Sequence, residues 1–338
     1  MFNQLGVPAG WMSGAMVAMA ILACFDKAEK LAEPVRVVAM LASGIAIGAG
    51  MTPQMLHGFG RYPASMALMA CAVVAITITG ALIMRRVPGF SRETAFFSAI
   101  PGALSYVFAV AITTTADLPR IAVVQVLRVF VLMAVLPLIV AQTGVAVASP
   151  SASVSVFDPL WLVALMFPAS LLVGLALERA GVAGGLLFGA MVVSGVLHGS
   201  GFAPGHLPAL VALAAQVLVG AWSGARFAGF DWRLLGRLVF VSLGSCALAI
   251  SLAAGFAGCA TLWLHIPFAQ ALLAFAPGGL EAMTLLAFAL GVDPLFVGAH
   301  HLARFVLISL ALPVVARFWL RGGVRESSRS SAADGDAT

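Results

Sequence analysis

Eleven apolar stretches of about membrane-spanning length follow one another between residues 8 and 316, parted by short connections. They run approximately 8–25, 34–53, 63–84, 91–114, 118–142, 158–177, 182–201, 207–226, 234–258, 267–290 and 294–316. About 20 apolar residues in a helix match the ~30 Å hydrocarbon core of a bilayer. Composition carries the same message: 62% of the residues are hydrophobic and 9% charged, where a soluble domain has roughly 25% charged. Such a chain lacks the charge to cover a water-facing exterior. Leu, Ala, Val, Gly and Phe dominate without the polar–apolar alternation of a barrel, so the expectation is an all-α integral membrane protein. The four cysteines lie in apolar stretches without CxxC spacing, which suits packing rather than disulfides or zinc. Residues 321–338, rich in Ser, Ala, Gly, Asp and Arg, read as a disordered tail.

Sliding the chain on itself reveals a duplication. At an offset of 176, Pro101-Gly102-Ala103-Leu104 falls on Pro277-Gly278-Gly279-Leu280, Asp117 on Asp293, Arg128 on Arg304, and Leu136-Pro137 on Leu312-Pro313. Gly44 and Gly48 meet Gly220 and Gly224, and at an offset of 175 Gly14-Ala15-Met16-Val17 meets Gly189-Ala190-Met191-Val192. Coincident Leu and Ala are cheap in an apolar chain; coincident Asp, Arg and Pro at one shift are not. The expected organisation is a first repeat over 1–146, a second over 147–320 and a cytoplasmic tail over 321–338. The segment 158–177 has no counterpart, so the first repeat lacks one helix.

Charge decides the topology. If the two Pro-Gly segments, 91–114 and 267–290, enter and leave on one side, basic residues segregate sharply. Of the 18 Lys and Arg, Arg128 and Arg304 lie inside spans and Arg61 alone falls on one face; the other fifteen share the opposite face. That is the positive-inside pattern. Each such segment also carries Pro-Gly near its middle, which removes an amide and frees the backbone. The expectation is about nine spans plus two re-entrant hairpins, with eleven spans the alternative. In the first arrangement the repeats are inverted and the C-terminus is cytoplasmic. The hairpin tips, at Pro101-Gly102 and Pro277-Gly278-Gly279, then meet near mid-membrane, as in secondary transporters.

Several residues could carry chemistry there. Arg128 and Arg304 each sit about ten residues into an apolar helix, where a lone Arg costs at least about 2.5–3.5 kcal/mol. A bound anion, a carboxylate, or the carbonyls of a hairpin tip would compensate. Glu281 follows the second tip and has Ser105 as its repeat equivalent; it suits proton coupling or cation binding, or a structural pair with Arg304. His301 shares a helix face with Arg304 and replaces Gln125 of the first repeat, which cannot titrate; this points to a proton role for His301. Asp117 and Asp293 suit helix caps, and the Gly-xxx-Gly pairs suit close helix packing. The expected substrate site thus comprises Pro101, Gly102, Ser105, Arg128, Pro277, Gly278, Gly279, Glu281 and Arg304, with Glu281 and His301 in coupling.

Pro8-Ala9-Gly10-Trp11 at the first helix, the duplicated Pro-Gly-x-Leu element and His301-x-x-Arg304 together resemble the AbrB family of bacterial membrane proteins. The resemblance covers nearly the whole chain except the tail. It implies a duplicated unit in the inner membrane, similar in plan to inverted-repeat cation/proton antiporters and anion transporters. Members often carry the label "ammonia monooxygenase" or regulator. Neither label fits the residues well: a copper oxygenase needs a cluster of His or carboxylate ligands, and a DNA-binding regulator a basic soluble module. The reading is therefore a secondary transporter of a small organic solute, foremost an anion, with the lipid bilayer as surroundings. It expects no cofactor, metal, nucleic acid or enzymatic activity, and leaves a homodimer open. The alternative is a membrane protein that affects gene expression without transport.

Overall fold

A computed structural model describes residues 9–25, 27, 32–50, 62–143, 157–203, 205, 207–229 and 231–335. Side chains are described to residue 315, except those of Cys24, Ser105 and Ala209. Arg61 and the repeat boundary at 146/147 lie outside the described residues, as does the side chain of Ser105.

The described residues form helices α1 (Gly10–Cys24), α2 (Glu33–Ala49), α3 (Tyr62–Met84), α4 (Arg92–Ala99), α5 (Leu104–Ala111), α6 (Leu118–Ala141) and α7 (Leu160–Arg179). Then follow α8 (Gly185–Gly199), α9 (Ala209–Gly224), α10 (Trp232–Leu264), α11 (Phe268–Phe275), α12 (Leu280–Ala289) and α13 (Pro294–Gly335). Six of them are long and apolar enough to cross a membrane: α3, α6, α7, α10, and the stretches Leu210–Phe227 and Pro294–Val315. Their outward surfaces are apolar too. Leu160, Leu172, Phe240, Leu262 and Leu310 all stand exposed, a coat that suits lipid better than water.

Local chemistry sets the breaks. Both Pro-Gly segments are divided at their tips, and α4, α5 and α6 begin 176 residues before α11, α12 and α13 respectively. Asp117 caps α6 by accepting from the Arg120 amide, and Asp293 caps α13 by accepting from Leu295 and Phe296. Helix α10 outruns the 234–258 stretch because its sequence stays apolar to Leu264; it stops at His265, in left-handed backbone (φ 54°), before Pro267. Helix α13 continues to Gly335 through the stretch whose composition suggests a disordered tail; no proline follows Pro313 to stop it.

Packing is exchanged between the repeats. Helix α1 lies on α9 while its equivalent α8 lies on α2, and α6 lies on α10 as α13 lies on α3. Glycines make the first pair of contacts possible. A Cβ on Gly220 or Gly224 would strike the carbonyl of Met12 or Met16, and one on Gly44 or Gly48 that of Leu187 or Met191. Met12 and Met16 are the repeat equivalents of Leu187 and Met191. Each glycine pair therefore seats its helix directly on partner backbone, as small residues do between membrane helices.

Candidate functional site

Each Pro-Gly segment folds back on itself. In the first, Glu93 at the start of α4 accepts hydrogen bonds from the amide (2.9 Å) and hydroxyl (2.6 Å) of Thr115, beyond the end of α5. Thr94 Oγ1 accepts from the Asp117 amide at 3.0 Å. A straight helix would hold residues 22 positions apart at roughly 33 Å, so both ends of this segment lie at one level. In the second, α11 and α12 both descend along α13. His301 meets Leu273 of α11, and a Cβ on Gly298, one turn nearer the start of α13, would stand 3.1 Å from Thr284 of α12.

The same bonds fasten each tip to the helix after it. Gln125 Nε2 donates to the Phe97 carbonyl (2.9 Å), and 176 residues on His301 Nε2 donates to that of Leu273 (2.9 Å). Arg128 Nη2 donates to Ile100 O (2.7 Å), and Arg304 Nη1 to Ala276 O (2.6 Å). These carbonyls are the ones a helix leaves bare where it ends, and a guanidinium fork satisfies several together. Arg128 adds longer bonds to Ser98 O (3.3 Å) and Ala99 O (3.4 Å). Arg304 Nη2 donates to Gly278 O (2.5 Å) and to His301 Nδ1 (2.7 Å). Because His301 Nε2 must carry the proton it gives Leu273, its Nδ1 is the acceptor for Arg304.

The pairing of Arg304 with Glu281 that the sequence suggested does not form. Arg304 turns to the carbonyls of its own hairpin, while Glu281, in the first turn of α12, interacts electrostatically with Arg226 and Arg36 instead. Of the three compensating partners open to Arg304 by sequence, it is the hairpin-tip carbonyls that it takes.

The tips meet. A Cβ on Gly102 would stand 3.2 Å from Arg304 Nη2, so the second repeat's arginine reaches the first repeat's tip. Helix α5 packs on α13 and α12 on α6, the same exchange seen outside the site. Between them lies a cavity of about 600 Å³. Gly102, Arg128, Gly278, Gly279, Glu281, His301 and Arg304 all line it. Pro101 and Pro277 do not; each is buried beside the glycines and shapes the break. The backbone at the tips differs: Gly102 and Ala103 are left-handed (φ 85° and 54°), while Gly279 is extended (φ −76°). A non-glycine residue in that region costs about 1–2 kcal/mol.

Arg36, Glu178, Trp222 and Arg226 also line the cavity. Arg36 pairs with Glu33 (2.5 Å) and lies 3.9 Å from Glu178, and Arg226 stacks on Trp222. By sequence, Arg36 and Arg226 mark sidedness at the ends of spans, and Glu178 and Trp222 carry no signal. None is duplicated, Ala212 and Gly50 standing opposite Arg36 and Arg226, so a search by repeat passed over them. His300 lies off the cavity, its Nδ1 donating to Phe296 O and its Nε2 meeting Ser65 Oγ at 2.8 Å.

Comparison with known proteins agrees with the residue pattern. The family described as "Transition state regulatory protein AbrB" matches residues 11–320. A protein of Escherichia coli (strain K12) named "Putative regulator AbrB" is 26% identical over 329 residues, covering 94% of this chain and 92% of its own. "Uncharacterized protein YhjN" of Bacillus subtilis (strain 168) is 23% identical over 333 residues, covering 91% of this chain and 86% of its own. No solved structure matches. On the strength of a match that runs from the first helix into the last, this chain belongs to the AbrB family.

Proposed function

We propose that this protein is a secondary transporter of a small organic solute, foremost one bearing a carboxylate, bound where the two tips meet. One observation carries the reading: both tips and their arginines face a single cavity large enough for a small molecule. Irregular backbone at membrane depth is tolerated where protein covers it or a watery cavity meets it, and broken helices of this kind bind solutes in transporters. Six long spans, with α1, α2 and α8 beside them, make nine crossings if both Pro-Gly segments are re-entrant. The two repeats are then inverted in the inner membrane, and the basic face is cytoplasmic.

Coupling is assigned to His301 and Glu281. A proton reaching His301 Nδ1 replaces an acceptor by a donor and breaks its bond to Arg304. Because Arg304 touches both tips, protonation there loosens the contact between them. A regulatory effect of the kind named in the family description would follow indirectly, through altered metabolite levels.

Reconstituted protein given a panel of small carboxylates, amines and amino acids, under imposed proton and sodium gradients, tests this directly. Saturable, gradient-driven uptake of at least one solute is expected. No uptake across the panel, by protein shown to be folded, would remove the transport reading.

A further inference from the structure

Beside the tips, four charged side chains that the tip hydrogen bonds do not use line the cavity: Arg36 and Glu178, which lie 3.9 Å apart, and Arg226 and Glu281, which have no such neighbour. Arg226 lies in the 3-10 turn Ala225–Phe227 and sets its guanidinium 4.2 Å from the centroid of the Trp222 ring. Stacking of this kind fixes a planar cation in place. Among the described residues nothing accepts a hydrogen bond from Arg226, and no carboxylate lies within ion-pair distance. Glu281 faces the same cavity from the first turn of α12 and likewise has no hydrogen bond or ion pair among the described residues. Arg226 and Arg36 act on it from a distance. The remaining arginines are occupied: Arg36 Nε and Nη2 both donate to Glu33, and Arg128 and Arg304 hold carbonyls. One open guanidinium and one open carboxylate thus share the cavity, near enough to interact and too far apart to pair.

Separated, half-buried charges are costly until something satisfies them. A simple anion would gain Arg226 and be repelled by Glu281. A simple amine would gain Glu281 and be repelled by Arg226 and Arg36. A molecule carrying both charges suits both residues. We propose that the solute is a zwitterion, an α-amino acid or close relative, with its carboxylate on the Arg226 fork over Trp222 and its ammonium on Glu281. Leu104, Val126, Val129 and Phe305 supply apolar wall for a hydrocarbon side chain. This assignment rests on the transport reading for the cavity, gives Glu281 to binding, and leaves proton coupling to His301.

Thermal unfolding of the purified full-length protein in detergent, titrated with matched trios, tests the class separately from transport. The trios are leucine, 4-methylpentanoate and 3-methylbutylamine, and phenylalanine, 3-phenylpropanoate and 2-phenylethylamine. A site built to bind both groups rejects analogues lacking one, so at least one amino acid should bind about ten-fold or more tighter than its two partners. Glu281→Gln should abolish the preference for the amino acid over its carboxylate analogue, the analogue itself binding as well or more tightly once the repelling charge is gone, while Glu281→Asp keeps part of the preference. Arg226→Gln should weaken both. A carboxylate analogue that binds as tightly as its amino acid overturns the proposal, and so does the absence of any shift with either amino acid. If proteoliposomes still take up another solute, the zwitterion fails alone; if they take up none, the transport reading fails with it. Size-exclusion profiles certify each variant as folded, and the wild-type trios decide the matter if Glu281→Gln is not.

Discussion

At the first tip the chain turns through left-handed Gly102 and Ala103, and the helix behind offers Gln125 and Arg128. At the second it passes through extended Gly279, and the helix behind offers His301 and Arg304. Two bonds to the hairpin carbonyls correspond at an offset of 176: those to Phe97 and Leu273, and those to Ile100 and Ala276. What differs includes the residues that can titrate: His301 stands for Gln125, and Glu281 for Ser105. The two halves thus share part of the means of holding a broken helix and differ in the chemistry beside it. The arginines that mid-membrane cost made conspicuous hold the tips. The asymmetric residues are the better candidates for selectivity.

The comparison breaks most completely if the tips do not oppose one another. Single cysteines placed beside Arg120 and at Gly205 should label from opposite sides of the membrane, the first from the cytoplasm. Labelling of both from one side would end the inverted arrangement. Next in size is the fork at each tip. A lysine ammonium puts all its donors on one nitrogen and cannot span carbonyls that the two Arg304 Nη atoms reach separately, and a buried carbonyl left unpaired costs about 1–3 kcal/mol. Arg304→Lys should therefore lower stability by that amount and weaken uptake. Arg128→Lys should cost less, because two of the Arg128 bonds are already long, at 3.3 and 3.4 Å. Thermal unfolding of the two variants side by side measures the difference, and equal losses would show that the tips are held alike.

His301→Gln copies the first tip's solution onto the second. Gln can donate to Leu273 O and accept from Arg304, so stability should change by less than about 1 kcal/mol. Uptake should cease to respond to an imposed proton gradient. An unaltered response would assign coupling elsewhere. The smallest effect is expected between Glu281 and Arg304. Since Arg304 bonds to carbonyls and Glu281 faces Arg226, a double-mutant cycle with Glu281→Gln and Arg304→Gln should be additive within about 0.5 kcal/mol. A larger coupling would restore the direct pair that the sequence suggested.

What was legible in the sequence follows from what repeats and what costs energy. The tips could be read because Pro-Gly breaks a helix wherever it stands, and the matching starts of α4–α6 and α11–α13 follow from the 176-residue shift. The caps at Asp117 and Asp293 and the close contacts of Gly44, Gly48, Gly220 and Gly224 were equally local in cause. That carbonyls of a hairpin tip could compensate Arg304 was legible; which carbonyls, and that they rather than Glu281 take the guanidinium, was not, since only the fold says which ones a helix end leaves bare. Arg226 and Trp222 were missed for another reason. They occur once, at a span's end, and become part of a site only when α9 and α12 come together.

The account turns on the solute sitting at the tips, and Gly279 reports on it most directly. Its backbone is extended (φ −76°), and an added Cβ would find only Ala282 Cβ, at 3.9 Å. The backbone and the space at Cβ accept a valine, whose branched side chain would crowd the cavity that Gly279 lines. Gly279→Val should reconstitute with a native size-exclusion profile, unfold within about 1 kcal/mol of wild type, and show no saturable uptake of the solute that wild type carries. Uptake at the native rate and affinity would place the solute elsewhere and contradict the mechanism.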